Sequence, residues 1–260
     1  MIKQVATHNK IFHADEVTAI ALLKIFTNNT IEVSRVNHNT TDFTSYDMVI
    51  DIGKKFDGEK HFDHHQYKGG KSSAGIIWEY LSVEKRYPKI SKLINLIDMN
   101  DTGIQKAKPF EFSSLLKAYN HHNIGSKEQD LQFEKAVEFA MTILASMKKA
   151  QEDFENAKEI VNNSFVFNNN HKIIELETFT SHWARYINGV ETPEVQAVVW
   201  EDTDDMNWKV RIPSKRLGSF ELNAKALKQD DSMEFVHSSG HFAIAKDEEG
   251  MKRFLTKQIK

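Results

Sequence analysis

The chain reads as an α/β protein: an N-terminal parallel sheet with flanking helices, followed by a smaller mixed α+β region. Three observations predict this. Short apolar runs that read as strands end in clusters of His and Asp, and helical spacing takes over between them. Beyond Gly125 there is neither glycine nor proline until Gly189, and the pattern then changes to two alternating hairpins.

The elements follow in order. Residues 2–6 form a first strand whose end delivers His8. From Asp15 to Phe26, the apolar set Val17, Ile20, Ala21, Leu23 and Ile25 gives a helix with a broad buried face, with Asp15 and Glu16 in its first turn. Residues 31–36 form a second strand. The run from Tyr46 to Ile50 suits a central parallel strand and puts Asp51 at its carboxyl end, where ligand crevices of open α/β sheets lie. After Gly69-Gly70, Ser72 or Ser73 caps a helix carrying Ala74, Ile77, Trp78 and Leu81. Ile90, Leu93, Ile94 and Ile97 mark another helix, which brings Asp101 onto the same face and ends near Gly103. A long helix over residues 128–162 has an apolar stripe from Leu131 to Val161, suited to a core or a homodimer seam. Hairpins are expected over Val195–Trp200 with Trp208–Ile212, and over Phe235–Ala245 turning at Ser238-Ser239-Gly240. The expected domains are therefore 1–127, which carries the metal-binding motifs, a connecting helix 128–163, and a substrate-binding domain 164–260.

With 260 residues, 40% hydrophobic and 27% charged, the chain can bury a substantial core. The absence of cysteine excludes disulfides, thiolate zinc sites and cysteine nucleophiles, so any metal must be held by His, Asp and Glu. A formal net charge of −3 provides no global field for a long polyanion. There is no leader-like start and no apolar run of membrane-spanning length, so the expected compartment is cytoplasmic, without membrane partners.

The chemistry concentrates in His61-Phe62-Asp63-His64-His65-Gln66. Adjacent imidazoles behind a carboxylate are costly to bury, and a metal centre accounts for them better than packing does. His8, His13 and Asp15 from the first loop, Asp51, His64 and Asp101 supply enough donors for two divalent ions. Imidazole and carboxylate donors without sulfur fit Mn2+ best, with Mg2+, Co2+ or Zn2+ as substitutes. His61 serves either to orient a ligand or as an exposed strand residue. His38, His121, His122, His171 and His182 read as packing or surface residues. His64 and His65 are expected to point opposite ways on an extended segment, so that one ligates and the other faces substrate.

The elements His8…His13-x-Asp15, Asp51-x-Gly53, Asp63-His64-His65 and Asp101 resemble motifs one to four of the DHH phosphoesterase superfamily. More closely, "THNKIFHADE", "DIGKKFD", "FDHHQ", "KSSAG" and "FVHSSG" resemble the melanocyte proliferating gene (Myg) family of metal-dependent hydrolases. The resemblance implies two manganese-type ions, one on His8, His13 and Asp51 and the other on Asp15, Asp51, His64 and Asp101. Asp51 would then bridge them, and His65 would act on the substrate as phosphate donor or general acid. Lys10 departs from the family's usual glycine, and Ala243-Ile244 from a glycine pair. Asp98 competes with Asp101 for the fourth motif, and Asp101 is better in phase with Ile90, Ile94 and Ile97.

The resemblance also implies hydrolysis of phosphodiester bonds in nucleotides or short nucleic acids, as by a nuclease. A pyrophosphatase-like hydrolase and a catalytically silent metal-binding scaffold are the alternatives. With the resemblance, His237 or the Ser238-Ser239-Gly240 backbone is expected to touch substrate phosphate. Arg211, Lys215 and Arg216 form a small basic cluster that suits the same anion or a solvated face, and Trp183, Tyr186 and Trp208 are candidate stacking groups.

Overall fold

Four strands form the first sheet of the computed structural model, which describes residues 2–27, 29–67, 69–187, 195–213, 222 and 231–259. They are β1 (Gln4–His8), β2 (Glu32–Val36), β3 (Met48–Ile50) and β4 (His61–Phe62), all parallel in the order β2-β1-β3-β4. Val5, Met48, Ile50 and Phe62 turn to one face and Ala6 and Val49 to the other, as the two-residue period of a strand requires. The first face is covered by α1 (Ala14–Phe26), α2 (Ser73–Leu81) and α3 (Pro88–Asp101), through Ile20, Leu23, Ile77, Ile94 and Ile97. The second face is covered by the connection from β2 to β3, whose Phe43 and Tyr46 pack on Ala6, Val49 and Ile52. The helices thus flank the sheet on one side and a loop covers the other.

This topology creates the crevice. From β1 the chain passes through α1 to β2 on one side, then returns to β3 on the other, so the strand order reverses at β1 and β3. His8 ends β1, Asp51 follows β3, and Asp63-His64 follows β4. All three motifs fall at the carboxyl edge of adjacent strands.

Further along come α4 (Phe112–Lys117), absent from the sequence expectation, and α5 (Lys127–Asn162), a single helix of 36 residues. Its Phe133, Val137, Ala140 and Leu144 join the first core. The chain divides into two compact units, Met1–Gln151 and Glu152–Lys260.

The second unit holds a six-stranded mixed sheet: β5 (Phe165–Val166), β6 (Ile173–Glu175), β7 (Ala197–Glu201), β8 (Trp208–Arg211), β10 (Phe242–Ala245) and β9 (Met233–Val236), in that order. Both expected hairpins are present, β7 with β8 and β9 with β10. The short strands β5 and β6 and the helices α6 (Trp183–Ile187) and α7 (Glu248–Gln258) were not anticipated. Two candidate stacking groups are core residues: Trp183 is 4% and Trp208 8% exposed. Tyr186 Oη donates to the Phe154 carbonyl at 2.7 Å, so it too is committed to structure. Among the described residues, no helix is long and apolar enough to cross a membrane.

Candidate metal centre

Asp51 stands at the centre of the crevice, 3% exposed and with φ of 58°. A left-handed conformation is costly for a non-glycine residue. Here it turns the chain immediately after β3, and Gly53 (φ 95°) and Lys54 (φ 51°) continue the turn. Asp51 Oδ2 lies 3.2 Å from His8 Nε2. Its Oδ1 lies 3.3 Å from His64 Nε2, 3.5 Å from His65 Nδ1, and accepts the Ser73 hydroxyl at 2.9 Å. The two oxygens of one carboxylate therefore face two different sets of imidazoles.

Around it, His64 Nε2 lies 3.1 Å from Asp101 Oδ2 and 3.7 Å from Asp15 Oδ2. His13 Nδ1 is 4.0 Å from Asp101 Oδ1, with its side chain 57% exposed at the rim. Four sets of potential donor atoms lie within 4.8 Å of one another: His8, Glu16 and Asp51; His13, Asp15 and Glu16; Asp15, His64 and Asp101; and Asp51, His64 and His65. His8, His13, Asp15, Asp51, His64 and Asp101 are thus brought together, joined by His65 and by Glu16, which is not among the expected donors. His13 falls with Asp15 and Glu16 rather than with His8 and Asp51.

The electrostatics follow from burial. Asp15 and Glu16 are completely buried. Neither oxygen of Asp15 nor Oε1 of Glu16 has a hydrogen-bond partner. Burial, with Asp51, Glu16 and Asp101 adding to it, holds the Asp15 carboxyl well above its ordinary range. Burial also raises Glu16, against the opposing effect of His8. For Asp51 burial acts upward, but the contacts with His64 and His8 prevail and hold it far below the usual carboxylate range. Burial would lower His64, yet bonds to Asp101 and Asp51 raise it to about 10.

His65 differs from expectation. The chain turns after His64, with Tyr67 N donating to the His64 carbonyl at 3.0 Å. The two imidazoles therefore lie side by side, ring centroids 4.5 Å apart, rather than on opposite faces. What separates them is their partners: His65 Nδ1 is 2.8 Å from Asp63 Oδ1, and its side chain is 52% exposed.

Asp98 and Asp101 part company. Asp98 Oδ1 accepts Ser72 N at 2.9 Å and Ser72 Oγ at 2.6 Å, so it serves the start of α2. Asp101, one turn later, reaches His64.

The loop from Asn9 to His13 is fastened by groups that carry no motif. Asn120 pairs with both the N–H and the carbonyl of Phe12, at 3.1 and 2.7 Å. Gln129 Nε2 donates to the Lys10 carbonyl at 3.1 Å. Arg35 pairs with Asp130 at 2.8 Å and lies over the rings of Phe12 and Phe133. Lys10 itself is exposed, so the departure from glycine leaves the loop anchored through its backbone. Beside the site a cleft of about 920 Å³ is lined by His8, Asp51 and His65, by Ile11, Phe43 and Ile124, and by Lys54 and Lys55. His38 and His61 also line it.

The second unit gathers the remaining candidates into a separate cluster. Ser239 Oγ contacts His237 Nδ1 at 2.8 Å and also His241 Nδ1. The backbone N–H groups of Ser239 and Gly240 already donate to His237, at 3.1 and 2.8 Å. Two of the three turn N–H groups are therefore occupied, which leaves the exposed Ser238 and the neighbouring side chains to meet an anion. Arg211 lies over Phe179 and Phe242, 5.7 and 5.8 Å from their centroids. Lys215 and Arg216 lie outside the described residues.

The MYG1_exonuc family model, described as an uncharacterised protein family (UPF0160), matches residues 4–259. The chain belongs to this family. The MYG1 protein of Chlamydia pneumoniae is 32% identical over 160 residues, covering 56% of this chain and 54% of the relative, so the match spans about half of that relative's length. The MYG1 exonuclease of Bos taurus is 22% identical over 314 residues, covering 95% and 82%. Among solved structures, the pGpG-specific phosphodiesterase PggH of Vibrio cholerae matches with a TM-score of 0.37 and 12% identity, covering 99% and 98%.

Proposed function

We propose that this MYG1-family chain is a dinuclear metal-dependent phosphoesterase that hydrolyses phosphodiester bonds of nucleotides or short nucleic acids, as an exonuclease does. One observation carries the reading. The Asp15 carboxylate is wholly buried, has no donor for either oxygen, and is packed among Glu16, Asp51 and Asp101. A buried carboxylate left unpaired costs several kcal/mol, and divalent cations are the partners that His8, His13 and His64 would help to hold. The relatives named MYG1 exonuclease support the same class.

The donor chemistry suits two ions: following the resemblance, His8, His13 and Asp51 would hold one, although His13 clusters with Asp15 and Glu16 here, and Asp15, Asp51, His64 and Asp101 would hold the other, with Mn2+ best suited to imidazole and carboxylate donors. When bound, such ions supply an activated water and neutralise phosphoryl charge. The chain's own groups do the rest. Ser73 fixes the Asp51 carboxylate through its hydroxyl. Asp63 holds Nδ1 of His65, which leaves Nε2 to hydrogen-bond a phosphate oxygen or to protonate the leaving oxygen. Lys10 N donates to His8 Nδ1 at 3.2 Å, a long bond that must yield when the ring takes the Nδ1–H tautomer required for ligation through Nε2.

The apolar wall of Ile11, Phe43 and Ile124 beside Lys54 and Lys55 favours a nucleotide over bare pyrophosphate, because it offers a base a surface that pyrophosphate would leave unused. Incubation with Mn2+ and a panel of dinucleotides, short oligonucleotides and pyrophosphate, read by mass spectrometry, tests this. Release of mononucleotides by the wild type but not by His65→Ala is expected. Hydrolysis of pyrophosphate alone, or of nothing in the panel, would overturn the proposal.

A further inference from the structure

We infer that Glu16 is itself a metal ligand, on the ion that His8 and Asp51 face, so that four carboxylates serve the two divalent ions. The inference rests on the dinuclear reading above and assigns a donor which that reading leaves out.

Glu16 has an ordinary structural task, and that task uses only one of its oxygens. Oε2 accepts the backbone N–H of His13 at 2.9 Å, closing the first turn of α1. Oε1 is also completely buried, yet no donor reaches it. It lies 3.2 Å from His8 Nε2 without the geometry of a hydrogen bond. A residue that only capped the helix could leave its second oxygen toward solvent, as surface helix caps do. Here it is turned inward, within 4.8 Å of the donor atoms of both His8 and Asp51.

Charge gives a second, independent reason. Asp15, Asp51 and Asp101 bring three negative charges against the four positive charges of two divalent ions. Glu16 supplies the fourth negative charge. In a buried centre, where net charge is poorly solvated, a neutral cluster is strongly preferred to a cationic one.

Glu16→Gln separates the two roles, because the amide oxygen can still accept from His13 N while the ligating charge is lost. Manganese titration of chelator-treated protein by calorimetry, with electron paramagnetic resonance of bound and free Mn2+, is expected to show two ions on the wild type. The variant should keep one, with the other weakened by more than the roughly 10–100-fold expected of a group that only orients a ligand. Thermal unfolding gives a second readout. In EDTA the variant should unfold at or above the wild-type temperature, since a neutral amide replaces a buried charge, and in saturating Mn2+ the order should reverse. Two ions at wild-type affinity in the variant would overturn the inference. So would a variant that unfolds below wild type both with and without Mn2+, which would make Glu16 a helix cap only. A wild type that takes up no manganese would instead defeat the dinuclear reading, and the inference with it.

Discussion

The Nδ1 of His65 lies 2.8 Å from Oδ1 of Asp63, and that carboxylate also accepts the backbone N–H groups of His65 and Lys54, at 3.0 and 2.6 Å. Asp63 is 1% exposed, so its charge is spent almost wholly on holding this turn and this imidazole. The contact raises the pKa of His65, against the smaller opposing effect of burial. If His65 protonates the leaving oxygen, its active form is present below that pKa and lost as pH rises through it. Asp63→Asn should therefore move the alkaline limb of the kcat profile to lower pH, with Mn2+ uptake unchanged. An unmoved limb would show that Asp63 does not act through His65.

His64 and His65 should separate on metal content even though their rings are neighbours. His64 lies between Asp51 and Asp101, whereas His65 is tied to Asp63 and half exposed. His64→Ala is expected to lose Mn2+ on metal analysis. His65→Ala should keep it while kcat falls by roughly 10²–10⁴-fold, the usual worth of a positioned acid or base. Equal metal loss in both variants would refute the division of roles.

Cations should also stabilise the fold. With no cation, Asp15 is a buried carboxylate without a donor. Binding to the folded state alone adds about 2.7 kcal/mol per site at a hundred times Kd. For a chain of this size that is a rise of roughly 5–11 °C per site. Differential scanning fluorimetry with Mn2+ against EDTA reads it directly, and Asp51→Asn should abolish most of the shift because both sets of imidazoles face its carboxylate. A wild-type shift that persists in Asp51→Asn would remove Asp51 from the centre of the site.

The part of this site legible in the sequence is the part that sits at strand ends. His8 and Asp51 each follow an apolar run, and parallel pairing brings such ends together, while His64 was legible from the Asp-His-His cluster itself. Asp101 was legible from helical phase. Asp63 and Glu16 were harder, because each also serves the local backbone, as an ordinary turn or cap residue does: Asp63 accepts the Lys54 and His65 N–H groups besides holding the His65 ring, and Glu16 accepts His13 N–H through one oxygen while the other faces the site. The spacing from His13 to Glu16 is that of a helix cap with its third-position acid, and it hides the second oxygen. The side-by-side placement of His64 and His65 depended on a turn with no glycine or proline within it. Asn120, Gln129 and Arg35, which fasten the first loop, act from remote positions, and no local pattern announces them. In the second unit, Trp183 and Trp208 look like stacking groups by type, but Trp183 is buried on the inner face of α6 with Ile187, and Trp208 by the alternation of β8.

Gly75 offers a structural test. A Cβ there would meet both Asp98 oxygens at 2.4 Å, and Asp98 is the group that accepts from Ser72 at the head of α2. Ala is normally the better helix former by about 1 kcal/mol. At this position Gly75→Ala should instead destabilise the protein, by roughly 1–3 kcal/mol, as overpacking does. An increase in stability on urea unfolding would show that Asp98 has room to withdraw.

The last prediction concerns Arg211 and His237 in the second unit, which we propose as substrate contacts without a part in metal binding. The backbone N–H groups of Ser239 and Gly240 are engaged by His237, so among the described residues the Arg211 guanidinium and the imidazoles of His237 and His241 are side chains suited to an anion. Arg211 packs on Phe179 and Phe242, which fixes the guanidinium plane beside an aromatic surface. Phe179 is 38% exposed and Phe235, beside Phe242, 42%, so rings are accessible for stacking where Trp183 and Trp208 are not. Arg211→Ala should raise KM for oligonucleotides and lower the salt slope of binding by about 1, as the loss of one phosphate contact does, with Mn2+ uptake unchanged. His237→Ala should act in the same direction. Unchanged KM and salt slope in both variants would show that this cluster does not meet the substrate, and loss of manganese in either would show that it contributes to the centre.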